Sequence, residues 1–294
     1  MFEEEMSEDK ISEDETAPPS TTSAAPPTLA PESQIDEAQI DAAQIDAAQV
    51  HRPAPADLLR TAADPALTED LALALLKRAD LPPDVLEQLA KNANALKSRK
   101  VKIALASHPN TPRHVSVPLA RQFYTFDLMK VALSPCVPAD VKVAVNDVLI
   151  SRLKTVTTGE RLTLARRASG RVAAALLLDV EIADGKIIDA KTAARETRVM
   201  QAALENPRLT EALVINSVLR PAASAALVHA VAQHPKWSCR REIRAALLRT
   251  EHLSLARALE FSREIPAPLL SEVLASSRLP AQVKDQLLRE SQYL

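Results

Sequence analysis

Four times this chain repeats one local pattern: an Ala-rich apolar stretch stops at a polar residue and a proline, and a new amphipathic stretch starts a few residues later. The copies are Ala104-Leu105-Ala106-Ser107-His108-Pro109, Val131-Ala132-Leu133-Ser134-Pro135, Ala202-Ala203-Leu204-Glu205-Asn206-Pro207 and Ala230-Val231-Ala232-Gln233-His234-Pro235. Proline cannot continue a helix, and it pushes the residue before it out of the helical region. Each copy therefore ends one helix in a sharp corner. The step is 26 residues from Pro109 to Pro135 and 28 from Pro207 to Pro235, room for two short helices at about 1.5 Å per residue. The 72 residues between Pro135 and Pro207 hold two such units and an insertion. Recurrence at a period of roughly 20 to 50 residues predicts a stacked array rather than one enclosed core. The fold expected is all-α: an α-solenoid of short helix pairs with a repeat of about 24 to 28 residues.

The runs Ala106-Ser107-His108-Pro109-Asn110-Thr111-Pro112 and His234-Pro235-Lys236-Trp237-Ser238-Cys239-Arg240-Arg241-Glu242-Ile243-Arg244 resemble the repeats of the leucine-rich repeat variant family, a relative of HEAT-like helical repeats. The likeness covers roughly residues 58–294 and implies a right-handed stack. A characterised member of that family carries a cysteine-rich iron–sulfur module, and nothing in this chain corresponds to it. The resemblance thus implies the architecture and no cofactor.

Glycine is scarce: Gly159, Gly170 and Gly185 are the only three. Neither G-x-G-x-x-G nor a Walker-type loop can be written with them, which removes the sequence basis for nucleotide binding through those fingerprints. Cys136 and Cys239 lie about a hundred residues apart with no C-x-x-C, which argues against a disulfide scaffold or a zinc knot and fits a reducing cytoplasmic compartment. Cys239 reads as a buried, inert thiol. His108 and His234 occupy equivalent corners, where imidazole can bond the loose carbonyls at a helix end. Neither G-x-S-x-G nor H-E-x-x-H occurs, so the expectation is no enzyme, no metal and no cofactor.

Residues 1–57 are a different material. They hold 14 acidic side chains against Lys10 and Arg52, a net charge of −12, and prolines cluster at Pro18, Pro19, Pro26, Pro27 and Pro31. Such a segment buries too little apolar surface to offset its ordering entropy and is expected to be disordered. A five-residue repeat begins at Gln34-Ile35-Asp36-Glu37-Ala38. Its isoleucines would turn about 140° per step on a helix, so they form no single apolar face and the segment reads as a linker. The second domain, residues 58–294, is basic at +10, and residues 97–171 alone carry 14 basic against four acidic side chains. A positive body beside a negative tail predicts mutual attraction, screened over about 8 Å at physiological salt.

Arg240, Arg241 and Arg244 recur at helical spacing, and Arg167 and Arg171 are also four apart. Arginine forks favour bidentate anions, so these five are the candidate binding surface. Phe123-Tyr124-Thr125-Phe126, flanked by Arg121 and Lys130, is a stacking platform in one reading and core filling in the preferred one. Trp237 reads as a plug between repeats. Asp184-Gly185 between two β-prone runs predicts a β-hairpin or loop insertion near residues 180–190. The start of the chain lacks a signal peptide's basic and apolar regions, and the longest apolar run is too short to span a bilayer.

The function expected is a non-enzymatic scaffold or adaptor that binds another protein, with the acidic tail as tether or autoinhibitory arm. Nucleic-acid binding through residues 97–171 is the second reading. An enzyme like the HEAT-like DNA glycosylases is a distant third, since no residue here matches theirs.

Overall fold

The structure, a computed structural model, describes residues 54–179, 190–221 and 223–291. Residues 1–53 of the acidic segment and the expected hairpin at 181–188 lie outside the described residues. Among the described residues the protein is all-α, with seventeen α-helices and no strand. These are α1 (Pro55–Ala63), α2 (Glu69–Leu76), α3 (Pro83–Lys91), α4 (Arg99–Ser107), α5 (Arg113–Ala120), α6 (Thr125–Leu133), α7 (Ala139–Ser151), α8 (Thr158–Arg167) and α9 (Gly170–Leu178). The series continues with α10 (Ala190–Leu204), α11 (Glu211–Val218), α12 (Ala225–Gln233), α13 (Pro235–Ser238), α14 (Arg241–Leu248), α15 (Leu255–Arg263), α16 (Ala267–Ala275) and α17 (Ala281–Ser291). The first helix among the described residues starts at Pro55, a little ahead of the boundary read from the sequence.

The corners have the expected local cause. His108, Ser134 and His234 each precede a proline and each leave their helix with an extended ψ, at 136°, 129° and 124°, as the clash with the proline ring requires. Some starts are set by small hydroxyl caps. Ser98, Ser169 and Ser224 accept from the backbone N–H groups of Val101, Val172 and Leu227, and Thr157 forms a reciprocal capping box with Glu160. Each satisfies a first-turn donor that the helix leaves open.

Each helix buries a narrow apolar stripe, as in Val85, Leu86 and Leu89 of α3 or Leu227, Val228, Val231 and Ala232 of α12. The stripes join in one core running from Leu58 to Leu287. Beyond sequence neighbours, the helices pack mainly on the helix two along: α5 on α7, α7 on α9, α9 on α11, and α14 on α16. In parallel, α2 packs on α4, α4 on α6, α8 on α10, and α10 on α12. The one-turn α13 is skipped, so that α11 packs on α14.

Corner side chains reach back to the ends of helices earlier in the chain. Asn92 donates to the carbonyls of Ala62 and Asp64, and Asn110 to those of Ala79 and Leu81. Arg152 donates to the carbonyls of Phe123 and Arg121. Asn206 donates to those of Ala165 and Ala168, Trp237 to that of Leu204, and Ser277 to that of Leu248. The open carbonyls at a helix C-terminus are thereby satisfied by side chains from later in the chain, each bond contributing about 1 kcal/mol.

Candidate functional site

The five arginines predicted as a binding surface are not gathered in one free patch. Ser169, the N-cap of α9, stands between Arg167 and Arg171, so their spacing of four is not a helical spacing. Arg171 pairs with Asp147 of α7 at 2.8 Å, whereas Arg167 is exposed and its carbonyl accepts from Arg208. Arg240 pairs with Glu211 of α11 at 2.8 Å and lies over the Trp237 ring. Arg244 pairs with Glu264 and lies over the ring of Phe261 in α15. Arg241 is exposed.

The basic stretch is similarly engaged. Within residues 97–171, Arg99, Lys100, Arg113, Arg161 and Arg171 meet the carboxylates of Asp127, Glu69, Asp140, Asp179 with Glu196, and Asp147. Arg99 grips Asp127 through two bonds of 2.7 and 2.8 Å. That bonding raises the arginine's pKa above its ordinary value. Lys100 in turn lowers the pKa of Glu69, helped by Ser98. Arg161 is a partly buried ion at the meeting of α8, α9 and α10, 2.9 Å from Glu196 and 3.3 Å from Asp179. Lys102, Arg121, Lys130, Lys154, Arg166 and Arg167 make no ion pair among the described residues.

The aromatic run divides. Phe123 belongs to the core, while Tyr124 is 70% exposed with the Arg99 guanidinium 5.0 Å from its ring centre. Core filling therefore holds for Phe123 and fails for Tyr124, the N-cap residue of α6, whose position before the first turn faces it outward. Trp237 is buried and bonded to Leu204 as a plug should be, and Lys236 covers its ring at 4.2 Å. His108 meets the carbonyl of Arg78. His234 instead accepts from the backbone N–H of Lys236 and caps α13. Cys239 is exposed, which corrects the buried thiol expected. Trp237 takes the inward position of one-turn α13, and two residues further on the chain has turned to the outside.

One constellation escaped the sequence reading. Arg220, Arg249 and Arg278 line a single cleft at the C-terminal ends of α11, α14 and α16, together with Ser276, Glu251 and His252. A second groove, bordered by α7, α9 and α11, contains Arg171 and shares Arg220 with the cleft. The signal was present in the numbering, because the three arginines are spaced at an even 29 residues. Among the described residues, no three His, Cys, Asp or Glu side chains converge as a metal site, and no helix is long and apolar enough to cross a membrane. No family model, no curated protein and no solved structure matches the chain.

Proposed function

We propose that this protein is a non-enzymatic, cytoplasmic helical-repeat scaffold that binds another protein. In this reading its helix pairs form a right-handed solenoid of the leucine-rich repeat variant kind, and its acidic N-terminal segment is a tether or autoinhibitory arm. The observation that carries the reading is the ladder of corner bonds, from Asn92 to Ala62 near one end to Ser277 to Leu248 near the other. Each level rests on the one before, and a molecule assembled that way offers a long surface rather than one deep site. Exposed Tyr124 beside Arg99 supplies the two residue types most often found at the energetic centre of protein interfaces.

The second reading, nucleic-acid binding, draws on the cations of residues 97–171 that make no ion pair. Affinity for phosphates falls steeply with salt because counterions are released, whereas a mainly apolar protein interface responds weakly. The test is fluorescence anisotropy of labelled single- and double-stranded DNA and RNA with the full chain at two salt concentrations. It is run beside cross-linked capture on the immobilised chain from a nuclease-treated lysate. A protein retained at high salt, with no saturable nucleic-acid binding, is the expected result. Tight, salt-sensitive binding to DNA or RNA overturns the scaffold reading in favour of the second.

A further inference from the structure

We infer that the cleft lined by Arg220, Arg249 and Arg278 binds the oxyanion group of a peptide side chain, a carboxylate or a phosphoryl, and so makes the scaffold a reader of anionic peptides. The inference rests on the scaffold reading and deepens it. The three arginines lie 29 residues apart, after the ends of α11, α14 and α16, and line one space. Its volume is about 110 Å³, enough for one oxyanion group with a water or two at about 30 Å³ per water. Among the described residues none of the three is in an ion pair, unlike Arg171, Arg240 and Arg244. Arg249 spends its Nε–H on the hydroxyl of Ser276 and keeps its remaining donors. The one carboxylate among the described lining residues, Glu251, is turned to His252 at 3.4 Å.

The opposing effect is the negative end of each helix, equivalent to about half a charge apiece. Three full charges exceed three halves. The helix-end carbonyls are also occupied by donors from the next level, Leu248 by the Ser277 hydroxyl at 2.6 Å and Arg249 by the Arg278 N–H at 3.0 Å. The charged lining of the cleft is therefore three arginines against one carboxylate, and the planar guanidinium fork fits carboxylate or phosphoryl oxygens two at a time. Arginine clusters of this kind read acidic and phosphorylated motifs.

The experiment uses the full chain and three labelled decapeptides with glutamate, phosphoserine or glutamine at every third position, together with a ten-nucleotide oligothymidine. Anisotropy titration is expected to show saturable binding of the glutamate or the phosphoserine peptide and none of the glutamine peptide. Whichever anion binds more tightly identifies the source. R220Q/R278Q should weaken that binding at least tenfold, and Arg249→Lys, which keeps the charge but loses the fork, at least threefold. Arg289→Gln, at an exposed arginine of α17, should change it less than twofold. Arg220 and Arg278 make no side-chain hydrogen bond among the described residues, so their double variant should melt within a few degrees of the parent. Failure of both anionic peptides to bind, equal weakening by Arg289→Gln, or tighter binding of the oligothymidine overturns the inference. A protein partner captured equally by the parent and by R220Q/R278Q overturns the cleft and leaves the scaffold standing; peptide binding with no partner captured does the reverse.

Discussion

The imidazole of His108 stands 2.8 Å from the carbonyl oxygen of Arg78, thirty residues earlier. Its other nitrogen, Nδ1, accepts from the backbone N–H of Asn110, which makes Nε2–H the donor to Arg78. The same corner therefore turns its own chain and fastens the end of an earlier helix. Asn206 repeats the arrangement with different chemistry, accepting from Arg208 N–H while donating to Ala165 and Ala168. An amide suits this position as well as an imidazole because both offer an acceptor and a donor on opposite edges.

Asn206 is 0% exposed, and its amide satisfies two carbonyls that have no water to turn to. Replacing it with alanine strips those partners and leaves a small void, so Asn206→Ala should destabilise the protein by about 2–4 kcal/mol. Asn206→Leu should not recover the loss, because volume is not what is missing. Urea unfolding followed by circular dichroism measures both, and a midpoint unchanged in either variant would contradict the role given to the corner.

Gly170 opens α9 against the corner that Asn206 forms. A Cβ at this position would lie 2.1 Å from the backbone oxygen of Arg208 and 3.1 Å from Leu213 Cδ1. A backbone oxygen cannot rotate aside as a side chain can, so Gly170→Ala must separate α9 from the Asn206 turn. Alanine ordinarily favours a helix by up to about 1 kcal/mol over glycine; here the clash should reverse the sign. Gly159→Ala, with nothing within 4 Å of its added carbon, is the matched control and should be neutral or stabilising in a thermal melt.

The sequence made the corners legible because proline's effect on its predecessor is local and needs no partner, as the ψ angles of His108, Ser134 and His234 show. Trp237 was legible as a plug for a similar reason: one large ring in an Ala-rich chain needs a joint to fill. Arg220, Arg249 and Arg278 were hidden because a search at spacings of three and four groups arginines along one helix, whereas the cleft collects them across levels. The pair Arg167 and Arg171 failed in the opposite direction. Its spacing was right, but the Ser169 cap ended one helix and began the next between them. Carboxylate partners such as Glu211 for Arg240, 29 residues away, likewise depend on how separate helices pack together.

Arg161 is held between Glu196 and Asp179 with little access to solvent. Its removal would take a shared cation away from two carboxylates in a poorly solvated space. Breaking one side of such a group is far costlier than replacing the group. Arg161→Met should therefore destabilise by about 3 kcal/mol or more, while Arg161→Met with Glu196→Gln should recover part of that loss. A double-mutant cycle on unfolding midpoints checks it; additivity of the two changes would mean that the charges do not interact.

His234 gives the fold a pH dependence whose sign can be worked out. Burial holds its pKa below the ordinary value of 6.5; the Glu205 carboxylate pulls the other way, and the Lys236 cation adds to the lowering. In the fold, Nδ1 accepts from the Lys236 N–H, and a proton there would end that bond. Because the folded pKa lies below the unfolded one, the unfolded chain takes up the proton first as pH falls. The stabilisation from a neutral His234 is therefore present above pH 6.5 and is lost as pH drops towards the folded value. His234→Asn supplies the same acceptor at the helix cap without titrating. The difference in urea midpoint between the parent and His234→Asn should shift in favour of the variant between pH 7.5 and pH 5.5, and midpoints that fall in parallel over that range would remove His234 from the explanation.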